Sequence, residues 1–132
     1  MILIDANVIL DVLSADKTWA SWSGEQLKQH SKTGSLRTNE IVYAELCVGA
    51  ETREALDTAL KELKIEIERT PTEALYLAAK AFRRYRAAGG PRLTILPDFF
   101  IGAFAQISRR PLLTRDPRRF RTHFQSVRLI TP

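Results

Sequence analysis

Apolar residues in this chain fall into two kinds of run, and the alternation between them predicts the architecture. Short unbroken runs at Met1–Ile4 and Pro111–Thr114 suit strands buried on both faces. Helical spacing follows each interruption. Val8–Leu13 resumes after Asp5-Ala-Asn7, and Asp16–Ser31 reads as a second helix with Trp19, Trp22 and Leu27 on its apolar side. A turn at residues 32–35 leads to a short strand at Leu36–Thr38. Asn39 then caps a helix through Val48, which Gly49 ends. Glu51–Leu63 carries Ala55, Leu56, Ala59, Leu60 and Leu63 on one face, and Ile65–Ile67 alternates as a strand does. Pro71 suits the first position of a long helix to about Ala88, with Leu75, Ala78, Ala79 and Phe82 toward a core. After the loop at Gly89-Gly90-Pro91, Pro97–Ser108 forms a strongly apolar helix. Asp116-Pro117 turns the chain into a short basic segment with Phe120 and Phe124, and Val127–Ile130 is a last strand. Strands alternating with helices predict an α/β domain, a central parallel sheet with helices on both faces. No repeat or linker interrupts it, so residues 1–132 are read as a single domain.

Charge and cysteine content sharpen this picture. A net charge of +5 favours a polyanionic partner, without bearing on the fold. One cysteine, Cys47, excludes an internal disulfide and points to a reducing compartment. Its apolar helical setting predicts a small core residue. Asp5 breaks the apolar start and no basic segment precedes it, which argues against a signal peptide. No run is long enough to span a bilayer, so a soluble, cytoplasmic protein is expected.

Four acidic residues beside apolar runs carry the candidate chemistry: Asp5, Glu45, Asp98 and Asp116. Asp5 and Asp116 both follow predicted buried strands, whose carboxyl ends are where parallel α/β sheets build ligand sites. Asp98 opens a helix, where the backbone N–H groups favour an ionised carboxylate. Glu45 lies in an otherwise apolar helix with no basic neighbour in sequence. Each has a plainer explanation: a cap for Asp5, a first-turn acid for Asp98, a turn signature for Asp116-Pro117, an ion pair for Glu45. Convergence changes the balance. Two carboxylates about 5 Å apart repel by roughly 3 kcal/mol at an effective dielectric of 20, and several such pairs rival a domain's net stability. Protons or a cation must enter. Oxygen-only donors select Mg²⁺ or Mn²⁺ over Zn²⁺, and on a basic protein that combination points to metal-assisted attack of water on a phosphodiester. Asn7 and Thr114, two residues from Asp5 and Asp116, suit roles orienting those acids or a ligand.

The pieces Ile-Leu-Ile-Asp-Ala-Asn, Glu-Ile-Val-Tyr-Ala-Glu-Leu, Leu-Pro-Asp-Phe-Phe-Ile-Gly-Ala and Leu-Leu-Thr-Arg-Asp-Pro-Arg-Arg-Phe, in that order, resemble the PIN-domain family. Within it they resemble the VapC-type toxin ribonucleases of bacterial toxin–antitoxin pairs. The resemblance implies a PIN-like α/β/α sandwich. It also implies an acidic quartet of Asp5, Glu45, Asp98 and Asp116 binding Mg²⁺ or Mn²⁺, with polar positions at Asn7 and Thr114. The implied activity is cleavage of RNA by metal-activated water, in a homodimer restrained by a small antitoxin protein. Glu40 falls outside the quartet. Phe104 departs from the family's small or polar residue, which implies an altered groove and an unaltered metal site.

Of the C-terminal arginines, Arg115, Arg118 and Arg119 flank Asp116 and suit RNA phosphates, Arg115 being the one expected to bind substrate. His30 and His123 stand alone in polar settings and are not expected to act as ligand or base. Trp19 and Trp22 are expected in the core or on a partner-facing surface. A catalytically silent PIN-like module that binds RNA or protein is the alternative, which the four intact acids oppose. An α/β phosphotransfer protein would want a second Asp where Asn7 stands and a Lys where Arg115 stands.

Overall fold

The computed structural model describes residues 1–132. Strands β1 (Ile2–Ile4), β2 (Leu36–Asn39), β3 (Ile65–Glu68), β4 (Leu112–Leu113) and β5 (Leu129–Ile130) form one parallel sheet in the order β3-β2-β1-β4-β5. Seven helices flank it: α1 (Ala6–Leu13), α2 (Ala20–Ser31), α3 (Glu40–Gly49), α4 (Arg53–Glu62), α5 (Thr72–Ala87), α6 (Pro97–Ser108) and α7 (Arg118–His123). The expected α/β/α sandwich with a central parallel sheet is therefore the fold. The chain works outward from β1 through β2 to β3, then crosses to the other side of β1 for β4 and β5. That reversal makes a switch point between β1 and β4, where the two outgoing connections part and leave a crevice at the carboxyl ends of the strands.

The two unbroken apolar runs form the centre of the sheet. Leu3, Ile4, Leu112 and Leu113 are all fully buried, and the register sets Ile4 beside Leu113. Their successors, Asp5 and Thr114, are thus neighbours at the crevice, and the Asp5 backbone N–H donates to the Leu113 carbonyl at 2.9 Å. Asn39 closes β2 and caps α3, its side chain accepting from Val42 N–H at 2.9 Å, as its position in the sequence predicts. Glu40 lies outside the crevice: its carboxylate accepts the Thr70 backbone N–H at 2.9 Å and the Thr70 hydroxyl, tying α3 to the chain leaving β3.

On α5 the buried residues are Ala74, Ala78 and Ala81, whereas Leu75 and Ala79 are exposed. Ala78 and Phe82 face the core as expected, and Ala74 and Ala81 take the places expected of Leu75 and Ala79, because α5 packs closely on α6 and alanines permit that approach where leucine would not. Pro71 caps α5 and is not its first helical residue. The helix expected from Asp16 begins at Ala20. Asp16 instead accepts the backbone N–H groups of Thr18 and Trp19 at 3.0 and 2.8 Å, which holds residues 16–19 in a turn. Cys47 is exposed, contrary to the core position expected, because α3 buries the side bearing Val42 and Leu46. Phe104 is buried within α6 under the Arg110 guanidinium, so it shapes packing and not a groove. Gly102 matters to the site's frame: a Cβ there would come within 2.5 Å of the Phe124 ring, so only glycine lets the end of α7 settle on α6. No helix is long and apolar enough to cross a membrane.

Candidate metal centre

Asp5 leaves β1 and caps α1, with Oδ1 accepting the Ala6 N–H at 2.8 Å. It is 5% exposed, although a carboxylate that deep normally has a cationic partner. Its other oxygen accepts the Thr114 hydroxyl at 2.8 Å. That hydroxyl also accepts from Asn7 Nδ2 at 3.3 Å and from the Asp116 backbone N–H at 3.2 Å, so one buried threonine joins both strand ends. Asn7 Oδ1 completes the link by accepting the Arg115 backbone N–H at 3.3 Å. Both polar residues expected around the acids are therefore in the network.

Burial, then the nearby Asp98 charge and, less strongly, that of Glu45, push the Asp5 carboxyl up to about 7 despite its hydrogen bonds. Glu45 is half-buried on α3. Burial and then Asp98 raise its pKa above the ordinary range, and none of the ion pairs includes it. Asp98, second residue of α6 behind Pro97, is raised by burial against the opposing pull of Arg119, with Asp116 adding to the rise. Asp116 runs the other way: Arg118 hydrogen-bonds it and holds its carboxyl below the usual range. The four acids thus share one electrostatic neighbourhood, with Asp98 felt by Asp5 and Glu45 and itself feeling Asp116.

They do not close into one coordination shell in this arrangement: no three His, Cys, Asp or Glu side chains gather tightly enough to hold a metal ion. Asp116 is turned to Arg118, whose Nε and Nη2 lie 3.0 Å from its two oxygens, and Asp98 accepts Arg119 Nη1 at 3.2 Å. Even so, the donor set suits a hard divalent cation. It is all oxygen, and three of the four carboxylates hold protons more tightly than usual, because of burial first and neighbouring negative charge second. A cation would take the place of those protons and of the two arginines.

Beside Asp98 and Asp116, a polar hollow of about 390 Å³ is lined by Arg118, Arg119, Thr122 and His123. His123 was not expected to take part. Three residues beyond Phe120 on α7, it packs at 5.3 Å from the Phe99 ring, and burial with Arg119 and Arg84 keeps its pKa low. Only the turn of α7 back onto α6 brings it there, which spacing in the sequence does not reveal. Arg115 does not bond Asp116: its Nε donates to the buried Asp11 at 2.8 Å, and its guanidinium lies over Trp19. Trp19 and Trp22 are half-buried, edge to face at 6.3 Å.

A parallel α/β domain with an acidic crevice at its switch point defines the class. The chain belongs to the PIN domain family, whose model matches residues 2–124. Among solved structures it is similar to a chain of VapBC2 from Rickettsia felis bound to a DNA fragment from their promoter. There the identity is 17%, the TM-score 0.75, and the match covers 99% of this chain and 98% of that one. A chain of a toxin–antitoxin complex from Klebsiella pneumoniae is 22% identical, with TM-score 0.67 and coverage of 100% and 98%. A chain of FitAcB from Neisseria gonorrhoeae is 21% identical, with TM-score 0.65 and coverage of 98% and 96%. No curated protein matches the sequence.

Proposed function

We propose that the domain is the toxin of a type II toxin–antitoxin pair, an endoribonuclease dependent on Mg²⁺ or Mn²⁺ that works in the cytoplasm. The observation that carries this reading is the trio of Asp5, Glu45 and Asp98, all with raised proton affinity at one crevice. A bound metal would supply polarisation of the scissile phosphate and a water acidified enough to attack it. Asp5, Glu45, Asp98 and Asp116 would hold it. Thr114 and Asn7 fix the Asp5 carboxylate through the hydroxyl bond, and the wall of α7 supplies Arg118 and Arg119. Released from Asp116 and Asp98, those arginines would pair with RNA phosphates. His123 bounds the same hollow.

The likeness to chains from toxin–antitoxin complexes supports an antitoxin partner. An open apolar groove of about 330 Å³, lined by Leu10, Leu13, Leu46 and Leu56, suits an apolar segment of that antitoxin. The family resemblance adds a homodimer. A second reading, a silent module that binds RNA without cutting it, draws support from the arginines engaged on Asp98 and Asp116.

Cleavage of single-stranded RNA, followed by gel with Mg²⁺ or Mn²⁺ and with EDTA, separates the two. The nuclease reading expects metal-dependent turnover that Asp5→Asn abolishes while the circular dichroism spectrum stays unchanged. Binding without turnover in either metal supports the silent module.

A further inference from the structure

Metal binding leaves one buried charge unexplained. Asp11 is 2% exposed on α1, and its Oδ2 accepts two hydrogen bonds, from Ser23 Oγ and from Arg115 Nε, each at 2.8 Å. Burying an ion pair is a poor way to gain stability, because desolvation cancels much of the attraction. This pair is also lopsided: the Asp11 side chain is 3% exposed and that of Arg115 is 31%. Only Nε meets the carboxylate. The two terminal nitrogens, with four of the guanidinium's five N–H donors, have no protein acceptor and open to solvent. Its Cζ lies over the Trp19 ring, 5.6 Å from the ring centre. Trp19 is itself held, by Asp16 at its backbone N–H and by the edge of Trp22. The side chain springs from the crevice, since the Arg115 backbone N–H bonds to Asn7 and Asp116 is the next residue, and its guanidinium still feels the Asp116 charge. A guanidinium bonded at Nε and set over an indole ring, with its outer fork free, has the geometry for two parallel hydrogen bonds to a phosphate.

We propose that Asp11, with Ser23 and Trp19, positions Arg115 so that its free fork holds an RNA phosphate next to the acidic crevice. This rests on RNA being the substrate, as proposed above. Asp11 and Ser23 act as positioning residues, and Arg115 is the one that touches substrate.

The test is binding of a short fluorescein-labelled single-stranded RNA, by anisotropy across a salt series, in an Asp5→Asn background with Mg²⁺ present. Thermal melting is recorded on every variant. Arg115→Gln is expected to weaken binding about tenfold near 0.1 M salt and to reduce the steepness of log K against log salt by about 0.7, the value of one phosphate contact on a single strand. Asp11→Asn, which keeps the guanidinium charge but loosens its aim, should weaken binding about threefold with the slope retained. Arg115→Lys covers the case in which the glutamine variant does not fold: the slope stays and the affinity still falls, because an ammonium lacks the fork. Lower melting temperatures with affinity and slope equal to the parent would make the pair a structural tie and overturn the proposal. A parent that binds no RNA removes the nuclease reading together with it.

Discussion

Asp5 and Asp116 follow adjacent strands of one sheet, yet the protein holds them in opposite electrostatic states. Asp5 comes directly after β1 and is sealed beneath α1, where burial and Asp98 drive its carboxyl up to about 7. Asp116 comes three residues after β4, on the open lip of the crevice, where Arg118 pulls its carboxyl down. The position equivalent to Asp5 on β4 belongs to Thr114, a neutral residue whose hydroxyl serves both acids. A second buried carboxylate there would face Asp5 across one strand spacing, at a cost of several kcal/mol unless a cation bridged them. A hydroxyl at the inner position and an acid at the rim keep the negative charge close without that penalty.

Function should break the equivalence most strongly. Asp5→Asn is expected to lower RNA cleavage by about a thousandfold or more, since on the proposed reading Asp5 would be the most buried of the oxygen donors. Asp116→Asn, at a more exposed position, should lower it about tenfold to a hundredfold. Initial rates over a Mn²⁺ series give both numbers. Equal losses at the two positions would mean that their different burial has no functional weight.

Stability should break it next. Asp5 has a folded-state pKa of about 7 against an ordinary 3.8, so the folded domain keeps a proton that the unfolded chain has already released. Stability is therefore highest below about pH 4 as far as this group is concerned, and falls as pH rises toward 7, by a total of about 4 kcal/mol. Urea unfolding in EDTA at stepped pH measures the trend. Asp5→Asn should flatten the curve over that window and leave the variant more stable than the parent at neutral pH. His123, with its lowered pKa, pushes stability up over part of the same window, so the assignment is read from the difference between parent and Asp5→Asn, and a difference that does not change between pH 5 and 7 contradicts it.

The hydroxyl that joins the two acids comes third. Thr114→Val keeps the shape and removes one donor bond to Asp5 and two acceptor bonds. With those partners left buried, a loss of about 1–3 kcal/mol is expected, together with slower cleavage. Combining it with Asp5→Asn should give less than the sum of the two stability effects, since the mutations share a bond. Full additivity in a double-mutant cycle would show the two strand ends to be independent.

How much of this was legible beforehand depended on whether a feature is local. The runs Met1–Ile4 and Pro111–Thr114 announced buried strands because continuous apolarity has few other uses, and β1 and β4 are indeed the sheet's centre. The Asn39 cap, the Pro97 helix start and the four acids beside buried segments were equally readable, because each depends on a few neighbouring residues. Asp5 and Asp116 looked equivalent only because the sequence does not say how far past the strand each one lies in space. The partners of Arg115 and the arrival of His123 at the crevice depend on contacts across the whole domain, Asp11 with Arg115 and α7 with α6. On α5 the pattern reads Ala78 and Phe82 correctly but not Leu75 and Ala79, because hydrophobic strength marks core positions poorly where two helices must approach closely.

Arg118 offers the finest adjustment of the comparison. Its guanidinium makes two 3.0 Å bonds to Asp116, yet its side chain is 87% exposed, so solvent screens most of what the pair gains. Removing it with Arg118→Gln should leave folding stability unchanged. The effect belongs at the carboxylate: without the guanidinium, Asp116 titrates at higher pH, which carboxyl carbon NMR can follow. The same oxygens also become free for a cation, so Mn²⁺ affinity by calorimetry should rise about two- to threefold at low ionic strength and approach the parent value in high salt. The opposing loss of one phosphate contact appears only when RNA is present, so metal titrations with and without RNA should move in opposite directions. If Mn²⁺ affinity falls in the absence of RNA, Arg118 supports the metal position and does not compete with it, and Asp116 then resembles Asp5 more than its exposure suggests.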